Sequence, residues 1–115
     1  MQYLLLIYGD ENGSGPATDE DRQKMYAEYG ALSADLRATD RLISANELAA
    51  VSTATTVRVR DGESLVTDGP FAETKETLGG YYLVECDSLD EALEIATRIP
   101  SARQGSIEVR PVVQH

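Results

Sequence analysis

The sequence predicts an α+β fold in which an antiparallel sheet carries two helices on one of its faces. The first observation is an apolar run over residues 3–8, closed by Gly9 and hydrophobic on both alternating sides, as in a strand at the centre of a sheet. The second is that two helix-like segments each lie between strand-like segments, which gives a β-α-β unit at each end of the chain. With 115 residues, 42% hydrophobic and 26% charged, the chain has the composition of a single domain over residues 1–115.

The first helix is expected to begin at Thr18, after a loop over residues 10–17. A threonine side chain accepts hydrogen bonds from free backbone amides, and the acidic run at residues 19–21 stabilises the positive end of the helix dipole. Hydrophobic side chains then recur at helical spacing, at Met25, Tyr29, Leu32 and Leu36.

A β-hairpin is predicted in the middle of the chain. Residues 55–60 alternate between polar and apolar side chains, as in a half-exposed strand, and residues 64–67 supply the returning strand. Asp61 and Gly62 suit a type I′ turn because both tolerate a positive φ angle. A polar loop at residues 72–78 then leads to a further strand over residues 81–85.

The second helix is marked by Ser88 and Glu91, which form a capping box, and by Pro100, which ends it. A last strand follows over residues 106–113. This order of elements is that of a ferredoxin-like subunit with an antiparallel sheet and both helices on one face. The opposite face would expose more apolar surface than a monomer usually does, so we expect a homodimer with its two sheets face to face.

The formal net charge of −10 limits the classes of partner. Nucleic acids and anionic membranes are poor partners because binding to them depends on cationic side chains. We interpret the charge as a solvated surface, with an acidic docking face for a protein partner as the alternative. Cys86 is the single cysteine, and the apolar run at residues 3–8 lacks the flanks of a signal peptide or membrane span, so a cytoplasmic location is expected.

The most distinctive segment is residues 67–76, Thr-Asp-Gly-Pro-Phe-Ala-Glu-Thr-Lys-Glu. It resembles the signature of the DGPF group of YCII-related proteins, and the resemblance extends to residues 3–10, 56–62, 78–82 and 109–111. This resemblance implies a dimeric α+β barrel of ferredoxin-like subunits, usually bacterial, often found beside alternative sigma factors and mostly without an assigned activity.

The chain departs from the wider family at one position. Resemblance to that family implies a histidine on the first helix with an aspartate nearby, and a relative is a dehydrochlorinase of aromatic compounds. Tyr29 stands at the position that matches this histidine, and the single histidine, His115, is the terminal residue. Without another imidazole, acid–base chemistry would fall to carboxylates, Lys75 or a tyrosine.

The charged side chains of the distinctive loop are candidate site residues. Asp68 can act as a general base if its turn buries it, because desolvation makes a carboxylate more basic; alternatively, it accepts hydrogen bonds from its own turn. Glu73 is the second candidate base. Lys75, between Glu73 and Glu76, would either orient a polar ligand or form a solvated ion-pair cluster with them.

Arg58, Phe71 and Tyr29 are the other candidate ligand-binding residues. Arg58 and Arg60 share one face of their strand and, if Arg110 joins them, would hold a carboxylate or phosphate; a solvent-facing strand is the alternative. Phe71 is expected to anchor its loop in the core or at the dimer interface, or else to stack on a ligand. Tyr29 fits the apolar stripe of its helix, so we expect it to pack in the core, with a role in a site as the alternative.

The sequence carries no phosphate-binding loop, catalytic triad or zinc motif, so neither a metal nor a cofactor is expected. The leading hypothesis is a homodimeric small-molecule-binding domain, used in sensing or regulation, whose pocket includes residues 68–76. The second, which comes from the resemblance, is a lyase or dehydratase-like enzyme acting on a small cyclic or aromatic substrate with Asp68 or Glu73 as the base. The third is a protein-interaction module that docks through its acidic face.

Overall fold

The computed structural model describes residues 1–13 and 18–115, so the predicted loop over residues 10–17 lies partly outside it. Within these ranges the chain forms six strands and two α-helices. In chain order they are β1 (Gln2–Gly9), α1 (Asp19–Ala38), β2 (Leu42–Glu47), β3 (Thr55–Arg60), β4 (Glu63–Asp68), β5 (Thr77–Glu85), α2 (Leu89–Arg98) and β6 (Ser106–Pro111).

Four of the strands form one antiparallel sheet in the order β2-β5-β1-β6. This is the order of a ferredoxin-like sheet. The hairpin β3–β4 is inserted in the chain between β2 and β5. The predicted α+β fold is confirmed. So is the central position of β1, which has β5 on one edge and β6 on the other.

The hydrophobic core lies between this sheet and the two helices. Alternate residues of β1 and β5 point towards the helices, because successive side chains of a strand face opposite ways. The buried side chains of this layer are Tyr3 and Leu5 of β1, Tyr82 and Val84 of β5, Leu32 and Leu36 of α1, Ala92 and Ile95 of α2, and Cys86 and Ile99 beside them. Both helices therefore cover the same face of the sheet, as predicted.

Both helices begin at the N-cap residues that the sequence predicts, Thr18 and Ser88. The Thr18 hydroxyl accepts a hydrogen bond from the Asp21 amide at 3.0 Å, and the Ser88 hydroxyl accepts one from the Glu91 amide at 3.2 Å. The returning bond of the second cap differs from a standard capping box, since the Glu91 carboxylate accepts from the amide of Asp87, one residue before the cap, at 3.4 Å.

The hairpin β3–β4 forms a separate two-stranded sheet, which we call the arm (residues 55–68). Its turn has positive φ angles of 52° at Asp61 and 79° at Gly62, so the predicted hairpin is confirmed. All six residues of β4 are exposed. A compact domain of this length has a radius of gyration of about 13 Å, whereas the value here is 16.1 Å. The arm therefore projects from the body of the chain.

The face of the four-stranded sheet that the helices leave uncovered is apolar at its centre. Leu4 and Leu83 lie opposite each other on neighbouring strands, Leu6 follows two residues along, and all three are half-buried. Towards the edge, β6 carries Glu108 and Arg110, whose side chains pair at 2.6 Å. We call this surface the open face.

Neither described helix combines the length and hydropathy that crossing a bilayer requires.

Candidate functional site

A cavity of about 830 Å³ lies between the first half of α1 and one end of the sheet. Its walls come from α1, the ends of β1 and β2, the start of β5, and the turn after α2. Sites for small molecules are concave and typically measure about 300 to 1,000 Å³. The cavity is thus large enough to hold a metabolite-sized ligand.

Tyrosines dominate the lining of this cavity. The chain has six tyrosines, and five of them contribute to the walls: Tyr8, Tyr26, Tyr29, Tyr81 and Tyr82. The rings of Tyr29, on α1, and Tyr82, on β5, stack with centroids 6.3 Å apart and planes 8° apart. Stacked rings of this kind give an apolar surface with hydroxyls at its edge.

Two hydroxyl pairs fix these rings in place. The hydroxyls of Tyr29 and Ser101 share a hydrogen bond of 2.6 Å, and those of Tyr82 and Ser33 share one of 2.8 Å. Burial raises the pKa of Tyr29, and the hydrogen bond with Ser101 opposes the shift only in part. Tyr29 is therefore a neutral phenol at physiological pH, able to donate or accept a hydrogen bond.

A phenol and a carboxylate meet at the mouth of the cavity. The Tyr26 hydroxyl donates to both oxygens of Glu47, at 3.0 and 3.1 Å. This hydrogen bond and the negative charge of Glu47 raise the pKa of Tyr26. On the neighbouring strand, hydrogen bonds from the side chains of Asn46 and Ser44 lower the pKa of Tyr81. The pair of Tyr26 and Glu47 therefore places a carboxylate charge beside an aromatic wall.

Tyr29 and Lys75 are the predicted site residues that lie in or beside this cavity. Tyr29 forms part of its wall. Lys75 lines a neighbouring hollow of about 380 Å³ together with Glu76. The two cavities share Asp10 and Gln104, so they are adjacent.

The other predicted residues lie outside the cavity lining. Asp68 pairs with Thr55 at the base of the arm and is exposed, so the burial that would favour it as a base is absent. Glu73 is exposed in the following loop. Arg58 lies on the arm, where its guanidinium donates to the backbone carbonyl of Phe71 at 3.2 Å. The roles of Asp68, Glu73, Arg58 and Phe71 in a site stay predictions.

Phe71 does not anchor its loop in the core of the chain. Its side chain is 77% exposed. Arg110 does not join the arginines of the arm either, since it belongs to β6, on the far edge of the other sheet. Cys86 is buried, and burial raises the pKa of its thiol.

Sequence reasoning missed the polar residues that complete the cavity. Tyr26, Tyr29 and Ser33 recur at spacings of three and four, which places them on one side of α1, and this signal was present in the sequence. Glu47 is 21 residues from Tyr26, and nothing local links the two. In the part of the chain that the structure describes, no group of His, Cys, Asp and Glu side chains is arranged to hold a metal ion.

Comparisons with known proteins agree with this fold. The family model of the YCII-related domain matches residues 1–115. An uncharacterized protein of Rhizobium meliloti (strain 1021) is 39% identical over 114 residues, covering 97% of this chain and 92% of the relative. The solved 5-chloro-2-hydroxyhydroquinone dehydrochlorinase of Burkholderia phenoliruptrix AC1100, in complex with 2,5-dihydroxybenzoquinone, aligns with a TM-score of 0.55 at 18% identity, covering 100% of this chain and 96% of that one. At this identity the likeness concerns the fold alone.

Proposed function

The chain belongs to the YCII-related domain family, and we propose that it is a small-molecule-binding domain that acts as a homodimer in sensing or regulation. The observation that carries the proposal is the cavity of about 830 Å³ with its tyrosine walls and a few fixed polar groups. Binding sites for small molecules combine such apolar surfaces with a small number of placed hydrogen-bonding groups that orient the ligand. The hydroxyl pairs of Tyr29 with Ser101 and of Tyr82 with Ser33 are groups of this kind.

The homodimer is supported by two apolar surfaces of the chain. One is the open face, where Leu4, Leu6 and Leu83 form an uncharged centre. The other is one side of the arm, where Val57 and Val66 lie opposite each other and are 62% and 65% exposed. Two chains that each carry a net charge of −10 repel each other at long range, so an interface between them must use uncharged patches such as these.

The binding proposal is tested by thermal shift with a library of small aromatic, anionic and cationic metabolites. Ligand at about one hundred times its dissociation constant adds about 2.7 kcal/mol to the free energy of unfolding, which raises the midpoint by several degrees in a domain of this size. Two variants distinguish the possible sites: Tyr26→Ala removes part of the cavity wall, and Asp68→Asn with Lys75→Met alters the distinctive loop.

We expect a ligand whose shift is lost in Tyr26→Ala and retained in the loop variant. The opposite pattern would move the site to residues 68–76, as the sequence first predicted. Folded proteins that respond to no compound would contradict small-molecule binding and favour the protein-interaction module, whose capture of a partner would weaken with added salt because salt screens surface charge.

A lyase or dehydratase-like enzyme on a small cyclic or aromatic substrate is the second candidate. It is favoured by the shared fold with a dehydrochlorinase and by the position of Tyr29 in the cavity wall. An elimination needs a base that takes a proton from one carbon while the leaving group departs from the next. Glu47 is one of the carboxylates in the cavity lining, whereas Asp68 and Glu73, the bases predicted from the sequence, lie outside it.

Turnover separates this candidate from a binding domain. A bound compound that is recovered unchanged after long incubation with the protein would contradict the enzyme. If a product forms, three variants locate the base, and loss of activity in Glu47→Gln, with activity kept in Asp68→Asn and Glu73→Gln, would assign it to the cavity.

A further inference from the structure

The cavity wall carries an excess of negative charge. Three acidic side chains, Asp10, Glu11 and Glu47, contribute to its lining, against one basic side chain, Arg22. The formal sum of these groups is one positive and three negative charges, or −2. The guanidinium of Arg22 is engaged with Asp19 at 2.8 Å, which further reduces the positive charge that it offers to a ligand.

Glu47 is an acidic group of the lining that hydrogen-bonds directly to one of the tyrosines. Both of its oxygens accept from the neutral phenol of Tyr26, and a phenol donor leaves the carboxylate charge in place. Among the described residues, no lysine or arginine forms an ion pair with Glu47. A cation at the mouth of the cavity would therefore meet a carboxylate that no described lysine or arginine pairs with directly.

The rings beside this carboxylate attract the same class of ligand. The face of an aromatic ring carries a negative quadrupole and binds ammonium groups, and several rings together with a carboxylate form the common site for quaternary ammonium compounds. Tyr26, which bonds to Glu47, and Tyr29, three residues along α1, both line this cavity. An anion would meet the excess of carboxylates, and a neutral ligand would gain nothing from their charge.

We infer that the ligand of this cavity is a small organic cation, an amine or a quaternary ammonium compound, held by the Glu47 carboxylate and the faces of the tyrosine rings. This inference rests on the proposed small-molecule binding at the same site. The net charge of −10 for the whole chain acts in the same direction, since it raises the local concentration of cations around the protein.

A pair of compounds that differ only in charge tests the inference. Choline and 3,3-dimethyl-1-butanol have nearly the same shape, but only choline is cationic. Their binding is measured by calorimetry and by NMR titration of the backbone amides. We expect choline to bind about tenfold more tightly than its neutral counterpart, with the largest amide shifts near Tyr26, Glu47 and Tyr82.

Two variants with the same change in charge complete the test. Glu47→Gln keeps an oxygen that accepts from Tyr26 but removes the charge, so the affinity for choline should fall about tenfold and that for the neutral alcohol should not change. Glu94→Gln removes one charge at an exposed position of α2, outside the cavity lining. It should leave both affinities unchanged.

Each result either supports or overturns the inference. Equal affinities for the two compounds would overturn the preference for cations while leaving small-molecule binding intact. An equal loss in Glu47→Gln and Glu94→Gln would show that choline responds to the overall charge and not to this site, which also contradicts the inference. Absence of binding by both compounds to the folded wild type would overturn it, and the library screen would then decide the proposed function separately.

Discussion

The body of this chain and its arm are stabilised in different ways. In the body, Leu5, Leu36 and Ile95 are completely buried between the sheet and the helices. In the arm, Val57, Val59 and Val66 are each about 60% exposed although they lie on one side of a regular hairpin. The body therefore has a hydrophobic core buried within one chain, and the arm has none.

This difference indicates that the arm, and not the core of the body, needs a second surface to cover its apolar side chains. An isolated two-stranded hairpin is at best marginally stable in water because it cannot bury both of its faces. The arm is fixed at its base, where the Gly69 amide donates to the Ala54 carbonyl at 2.7 Å and the Thr56 hydroxyl donates to the Gly69 carbonyl at 2.8 Å. Beyond these bonds its valines have no apolar cover from the described chain, and the proposed partner chain would supply it.

The largest expected effect comes from opening the core. Leu5→Ala should lower the free energy of unfolding by about 3 to 4 kcal/mol, because it removes buried methyl groups and leaves a cavity. The matched change on the arm, Val66→Ala, should cost under about 0.5 kcal/mol in the monomeric chain, as at other exposed positions. Urea denaturation at low protein concentration measures both values. Similar losses in the two variants would remove the contrast between body and arm.

The sequence predicted the secondary structure of both the body and the arm well because its signals are local or periodic. The caps at Thr18 and Ser88, the turn at Asp61 and Gly62, and the double-sided apolar run over residues 3–8 each act over a few residues, and each is found where it was expected. The strand order followed from the succession of these elements, since few topologies connect them without crossing.

The position of the cavity could not be predicted in the same way. The sequence predicted a pocket around residues 67–76 because charged residues, Gly, Pro and Phe are concentrated there. Most of this segment follows the arm and lies outside the cavity lining. The pair of Tyr26 and Glu47 depends on where α1 crosses the end of β2, and its members are separated by 21 residues. The packing of one element against another brings two such residues together, and a single sequence carries no direct signal for that contact.

A smaller effect is expected from crowding two backbones in the body. A Cβ atom at Gly80 would lie 2.8 Å from the backbone carbonyl oxygen of Asn46, so Gly80→Ala must push β2 and β5 apart and should cost about 1 to 3 kcal/mol. At Gly62, on the arm, an added Cβ meets open space, and the cost comes only from its φ angle of +79°, about 1 kcal/mol.

These two glycine variants differ in more than stability. Gly80 also lines the cavity, so displacement of its strand should alter the amide spectrum around Tyr26 and Tyr82. Gly62→Ala should change only the signals of the arm. A spectrum of Gly62→Ala that changes throughout the body would mean that the arm and the body fold as one tightly coupled unit and are not stabilised separately.

The smallest effect on stability, and the most informative about the arm, is expected from replacing Val57 and Val66 with threonine. Threonine keeps the branched shape that favours a strand, so the free energy of unfolding of the monomer should change by under about 0.5 kcal/mol. If the arm packs on a second copy of the chain, each threonine brings a hydroxyl into that interface, and the dissociation constant of the dimer should rise about tenfold or more.

Leu65→Thr is the control, because Leu65 lies on the opposite side of the hairpin. Sedimentation equilibrium measures the dimer dissociation constant of the wild type, the valine double variant and Leu65→Thr. A dissociation constant that the valine changes leave unaffected would exclude the arm from the interface. A wild type that is monomeric at micromolar concentration would contradict the homodimer itself.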